Sequence, residues 1–267
     1  MSEFIKEFSK KLMQADYGRN PRDIFSDFLT MCSISLANVV YRDSELEKEY
    51  MTIIKQYKKP EIFPELFSMI VNEFERENFQ DLMGKIYMQG NFGNSNNGQF
   101  FTPFHVSDMM AQVSIYKEDI ADKIKKNGFI KICDPCVGAG GMIIAAAKTI
   151  FNLGYNPQQV MLFSGTDIDK RCFEMTFIQT SLLGLCGEVM WGNSLTLETW
   201  KTYRTLFYYS NPWRIRLFGK KLKEKLSTLQ EIPNKIIEST TPESKEEKSQ
   251  LKAADLIIDE NGQVKLF

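Results

Sequence analysis

Hydrophobic positions along this chain change their period at about the middle. Across residues 1–95 they recur every three or four positions, the spacing that lays a stripe along one helix face. Ile24, Phe28, Cys32, Leu36 and Val39 follow Asn20-Pro21, a capping amide before a proline suited to the first helical turn. The same period predicts a helix over Leu46 to Tyr57, closed by Pro60, and another over Leu66 to Phe74 with Met69, Ile70 and Phe74 on one face. A fourth is expected over Asp81 to Met88. These stripes read as core packing. The stretch Gly90 to Gly98 (GNFGNSNNG) is small, polar and turn-forming, and reads as a linker or a mobile loop.

From Phe129 short apolar runs alternate with helical ones. FIKIC reads as a strand, DPCVGAGG as a glycine turn and MIIAAAKTIFNLG as a helix ended by Gly154. VMLFSGTDID and EVMWGNSL repeat the strand-and-loop pattern on either side of the helical KRCFEMTFIQTSLLGL. Strand and helix in strict alternation predict an α/β fold with a parallel sheet, whose ligands bind at the carboxyl ends of the strands. After Trp200 the alternation weakens. Arg214 to Lys225 is basic, Thr240 to Ser249 is polar and linker-like, and Asn261-Gly262 predicts a terminal hairpin. Three regions result: a helical one over 1–95, an α/β one over 96–215, and a basic helix, polar linker and hairpin or docking tail over 216–267.

Composition narrows the classes. With 43% apolar and 25% charged residues, and only 16 Gly and 9 Pro in 267, the chain is neither collagen-like nor generally disordered. No apolar run approaches the ~20 residues a bilayer requires, and the N-terminus alternates charged with apolar residues, unlike a signal peptide. Five cysteines at irregular positions do not suggest a disulfide framework, so a cytoplasmic protein is expected. A single histidine excludes a multi-histidine zinc site, and a Ser-His-Asp triad would have to use His105, which reads as a surface or capping residue. The net charge of −1 leaves nucleic-acid binding to local patches.

The candidate chemistry sits in three successive strand-end loops. Asp134-Pro135-Cys136-Val137-Gly138-Ala139-Gly140-Gly141 places glycines before a helix N-terminus, where backbone can approach a nucleotide-like ligand closely. Ile143 stands where the dinucleotide fingerprint needs its third glycine, and no P-loop sequence occurs, so a nicotinamide dehydrogenase is disfavoured. Asp167 ends the second strand with a carboxylate able to accept both hydroxyls of a ribose. Asn193 and Ser194 end the third with an amide and a hydroxyl suited to an adenine edge. Cys133 and Cys136 form a C-x-x-C, but the Asp-Pro and glycines already account for the segment, so both thiols are expected to pack.

Taken with Gln99-Phe100-Phe101-Thr102-Pro103, the series DPCVGAGG, GTDID and GNSL resembles the motifs of N6-adenine DNA methyltransferases, and most of all the modification subunits of type I restriction systems. The likeness runs well from Asp81 to Leu197 and loosely over the preceding helices. It implies a Rossmann-like S-adenosylmethionine-dependent core, with a parallel sheet that is whole or truncated, behind an N-terminal helical domain. By that likeness Phe101, Thr102 and Pro103 lie near the methionine end of the cofactor, while Asp134, Pro135, Gly138 and Gly140 line its carboxylate and amino group. Asp167 holds the ribose, Ile168 packs on the adenine, and Asn193 with Ser194 meets the adenine edge.

The family's catalytic Asn-Pro-Pro-Phe/Tyr is absent. Its nearest counterpart is Asn211-Pro212-Trp213, which would hold and stack a flipped adenine, although a turn with no catalytic role is the plainer reading. Arg214, Arg216, Lys220, Lys221 and Lys223 would contact DNA phosphates, or form the solvated face of an amphipathic helix. Gln263 to Phe267 (QVKLF) resembles peptides that dock on a sliding clamp; a hairpin strand is the plainer reading, and a specificity subunit is the other expected partner. Two functions follow: an adenine-N6 DNA methyltransferase, or a catalytically defective relative that binds S-adenosylmethionine as a regulatory, anti-restriction or adaptor protein. In either, GNFGNSNNG with GQFFTP forms a lid over the cofactor or a linker indifferent to it.

Overall fold

Side chains cap four of the five amino-terminal helices. The structure, a computed structural model, describes residues 2–93 and 101–217. Ser2 accepts from the Ile5 amide to open α1 (Glu3–Met13), and Asn20 accepts from Arg22 to open α2 (Pro21–Tyr41). Asp43 caps α3 (Ser44–Ile54), α4 (Ile62–Arg76) starts without a side-chain cap, and Asp81 caps α5 (Leu82–Gln89). The stripes meet the core as their period requires, with Ile24, Phe28, Cys32, Ile70 and Phe74 buried, but Val39 is 60% exposed because α2 outruns the core. The α1 helix is additional: Ile5, Phe8 and Leu12 form a buried stripe that the interspersed lysines and glutamates conceal in the sequence.

By length and a mean hydropathy of 1.4, α2 is the one described helix that could cross a membrane, although polar residues break every long apolar run in it. More than half of it is buried inside the protein, where it packs on α1, α3 and α10. Phe25 stacks on Phe92 at 4.5 Å and meets Phe28 and Tyr87, and this aromatic cluster runs on without a break into Ile143, Ile144, Phe163, Phe173 and Phe177. Burying each such side chain contributes about 1.5–3 kcal/mol.

The second half continues through α6 (Phe104–Ser114), α7 (Lys117–Asn127), β1 (Ile130–Asp134), α8 (Gly141–Asn152), the short α9 (Pro157–Val160) and β2 (Met161–Asp167). Then come α10 (Lys170–Leu182), β3 (Cys186–Asn193), β4 (Glu198–Arg204), a 3-10 turn at Leu206–Tyr209, and helix again at 211–217. The α7 helix buries Ile120 alone, too little apolar pattern to announce it.

The sheet runs β1-β2-β3-β4; β1, β2 and β3 are parallel, and β4 is antiparallel to β3 with an irregularity at Trp191/Gly192. The fold is therefore mixed α/β: the three strands expected from the sequence are parallel, and β4, which the sequence did not announce, adds an antiparallel edge. Pairing with β3 makes β4 a strand, since only Tyr203 of its side chains is buried. Among the described residues β1 forms the opposite edge, and Lys131 and Cys133 on it are exposed. The expected packing of the C-x-x-C thiols fails: Cys133 lies on this open edge, Cys136 in the turn that follows β1, and both are exposed. Most of the GNFGNSNNG segment, Gln99, Phe100, Lys220, Lys221, Lys223, the polar segment, the hairpin and Gln263 to Phe267 lie outside the described residues.

Candidate functional site

The glycine turn between β1 and α8 is held from behind. Asp134 Oδ1 accepts from the Cys136 amide at 3.0 Å, and the Val137 amide donates to the Thr166 carbonyl at 2.9 Å. Gly138 and Gly140 have φ of 56° and 98°, and a Cβ on Gly140 would stand 3.2 Å from Thr176 Oγ1, so the turn requires glycine there. From α10, the Thr176 hydroxyl donates to the Gly138 carbonyl at 2.8 Å, and Gln179 Nε2 donates to the Ala139 carbonyl at 2.6 Å. Gln179 also donates to Asp81 Oδ1 at 2.9 Å and accepts from the Met83 amide at 3.0 Å, tying α5 to the same turn. With the turn's carbonyls held by α10, the first amides of α8 remain: Gly140 precedes them and no side chain caps them.

Parallel register sets the next two loops beside this one: Asp134 pairs with Gly165, and Asp167 with Trp191. Asp167 accepts from Gly138 through Oδ2 and from Asp169 through Oδ1, both at 2.9 Å. Burial, more than the nearby charges of Asp169 and Asp134, raises its carboxyl above the usual range, while those two amides pull the other way. Ile168 is 62% exposed, and its carbonyl accepts from Trp191 Nε1 at 3.1 Å. Asn193 Oδ1 accepts from Leu195 and Thr196, and Ser194 Oγ lies 3.9 Å from Cys136 Sγ, so the first and third loops meet.

Phe101 sits on this crevice with its ring 5.1 Å from that of Tyr87, and a Cβ on Gly138 would stand 3.3 Å from it. Thr102 lines a cavity of about 120 Å3 with Phe101, Asp81, Ser107, Asp134, Gly138 and Gly141, among others, and Pro103 opens α6. The structure thus gathers Phe101, Thr102, Asp134, Gly138, Gly140, Asp167, Ile168, Asn193 and Ser194 at one end of the sheet. Sequence reasoning missed Asp81, Ser107, Thr176 and Gln179 as parts of this site. The spacing Asp81-x-x-Gly84 carries a cap signal, but nothing in the sequence ties Asp81 to residues nearly a hundred positions away.

Asn211, Pro212 and Trp213 are not brought to this crevice. Trp213 is 1% exposed, packs edge-on to Phe129 at 5.6 Å and donates its indole N–H to the Gln158 carbonyl at 2.8 Å. Phe129 precedes the first residue of β1 and Gln158 shortly precedes β2, so the tripeptide lies at the amino end of the sheet. The glycine turn is one strand length away, roughly 13 Å for a strand the length of β1. Arg216 donates to the Gln159 carbonyl and lies over the Trp213 ring, while Arg214 is exposed. A larger cavity, about 910 Å3, opens between α4 and the end of α8, bordered by Phe74, Phe79, Phe151 and Tyr155, remote from the three loops. Among the described residues no group of His, Cys, Asp and Glu is arranged to hold a metal ion.

The chain is 22% identical over 185 residues to the "Type I restriction enzyme MpnII methylase subunit" of Mycoplasma pneumoniae, covering 64% of this chain and 32% of the relative. It thus spans about a third of that protein's length. No solved structure matches it. The model of the N-6 DNA Methylase family matches residues 78–255, well over half of the chain and all three strand-end loops, and the chain belongs to that family.

Proposed function

We propose that the crevice binds S-adenosylmethionine in a Rossmann-like arrangement, and that the protein is a cofactor-binding adenine-N6 DNA methyltransferase-like chain of the type I modification-subunit kind. The observation that carries this reading is the alignment of Asp134, Asp167 and Asn193 at three adjacent strand ends, above a helix N-terminus with no side-chain cap. The residues present fit the group. Two positive-φ glycines bring backbone close to a ligand, and an exposed Ile168 offers an apolar platform. Asp167 uses one acceptor position on each oxygen for Gly138 and Asp169, which leaves capacity for two ribose hydroxyls. Asn193 has its carbonyl oxygen engaged by Leu195 and Thr196, which leaves its NH2 as the donor for an acceptor nitrogen of the adenine. Bound there, S-adenosylmethionine supplies an electrophilic methyl group. The 1–95 and 96–215 regions then correspond to a helical domain and a cofactor domain. Calorimetry with S-adenosylmethionine on the purified chain tests this reading; no heat of binding at millimolar cofactor overturns it.

The burial of Trp213 favours the second reading for the target-base half. No described residue places an Asn-Pro-aromatic group over the crevice, so the chain by itself acts as a cofactor-binding component with regulatory or adaptor character. Its DNA contacts through Arg214 and the lysines that follow, and its docking to a specificity subunit or sliding clamp through Gln263 to Phe267, belong to this proposal. Methyl-transfer assays on adenine-containing DNA, with and without a specificity subunit, separate the two readings.

A further inference from the structure

We propose that Ser107 and Asp81, with the first amides of α8, form a subsite for the α-amino-carboxylate end of the cofactor, so that the elements preceding the sheet recognise this zwitterion. The inference rests on the cofactor reading above and adds residues that the family motifs do not include. Ser107, on α6, is 1% exposed, and its hydroxyl has no hydrogen-bond partner among the described residues. Leaving a buried hydroxyl unpaired is unfavourable, so such a group points to a ligand that completes it. It borders the same 120 Å3 cavity as Asp81, Asp134 and Gly141. Pockets for whole drug-sized ligands run to ~300–1,000 Å3, so this one suits the end of a molecule.

Its geometry converges on Gly141. A Cβ on that residue would stand 3.3 Å from Asp81 Oδ2 and 3.8 Å from Ser107 Oγ, and the missing side chain is what leaves the space open. The walls have opposite preferences. The α8 amides and the Ser107 hydroxyl donate, which suits a carboxylate. Asp81 Oδ1 is occupied by Gly84 and Gln179, and Oδ2 is the oxygen nearer the cavity, which suits an ammonium. Burial raises the Asp81 carboxyl above the usual range, with Lys85 as the nearby cation, and an ammonium in the pocket would favour its ionised form.

Calorimetry with S-adenosylhomocysteine and with 5′-methylthioadenosine, which lacks the amino-acid tail, tests the assignment on the full chain. Ser107→Ala removes no existing hydrogen bond, so its melting temperature should match the parent's. It should bind S-adenosylhomocysteine about tenfold more weakly, as for loss of a hydrogen bond to a charged group, and 5′-methylthioadenosine unchanged. Gly141→Ala, which fills the space, should discriminate in the same sense. Unchanged affinity for both ligands in Ser107→Ala, or equal weakening of both, overturns the subsite while leaving the cofactor reading intact. A parent chain that binds neither ligand overturns both.

Discussion

The Gly138 amide donates to Asp167 Oδ2 at 2.9 Å, so the glycine turn and the second strand-end loop are one unit although 29 residues separate them in sequence. A carboxylate in that position shapes the turn and, on the proposed reading, would also hold the cofactor's ribose. Asp167→Ala should therefore weaken S-adenosylmethionine binding by about 1–3 kcal/mol, the usual range for hydrogen bonds to a charged group. Calorimetry reads it directly, and an unaltered dissociation constant removes Asp167 from the site.

Gln179 offers a second measurement. Its amide joins Asp81, Met83 and Ala139 inside the protein, and Gln179→Ala leaves the Met83 N–H and the Ala139 carbonyl unpaired. Each unpaired buried group costs about 1–3 kcal/mol, and the freed turn should also bind cofactor less tightly. Denaturant unfolding alongside cofactor titration checks both; a variant as stable as the parent shows that the network contributes nothing.

Trp213 should behave as a core residue. Trp213→Ala is expected to lower stability by about 3–5 kcal/mol, as for other large aromatic truncations, without changing cofactor affinity in the fraction that remains folded. Asn211→Ala, at an exposed helix start, should change neither.

Methyl transfer by the purified chain alone should be weak or absent on unmodified DNA, because the Asn-Pro-Trp segment lies at the wrong end of the sheet. Robust labelling that Asn211→Ala abolishes would falsify this placement of the chemistry.

Glu174 gives a pH signature. It is buried between α10 and α2, accepts from the Thr30 hydroxyl at 2.8 Å, and has Lys170 at 3.5 Å, with Cys32, Glu49 and Tyr203 also facing it. Burial pushes its carboxyl up from 4.5 to about 7. A raised carboxyl pKa means that the native state holds the proton more tightly than the unfolded chain does. The stability this contributes is complete below about pH 4.5 and is lost as pH rises toward 7, a change of about 3 kcal/mol at most. The melting temperature of Glu174→Gln should lack this component between pH 4.5 and 7, and identical pH slopes for parent and variant would exclude it.

The chain's local chemistry is legible in the sequence alone. Helix periodicity, the Asn20-Pro21 cap and the strand–turn–helix at Asp134 to Gly141 depend on neighbours within a few positions, and those residues do in the structure what their spacing requires. The order of Asp134, Asp167 and Asn193 was likewise readable, because a parallel sheet turns successive strand ends into one edge. Three things needed the tertiary structure. The β4 strand exists because β3 offers it a partner, and pairing leaves little trace in the strand's own pattern. Trp213 lies at the amino end of the sheet because its indole fits against Phe129 and Gln158, residues more than fifty positions away. Ser107, Asp81 and Gly141 converge because α5, α6 and α8 pack around one small cavity, and polar groups on separate helices acquire a joint role only through that packing. Short-range preference is written residue by residue, whereas burial and convergence are properties of the folded whole.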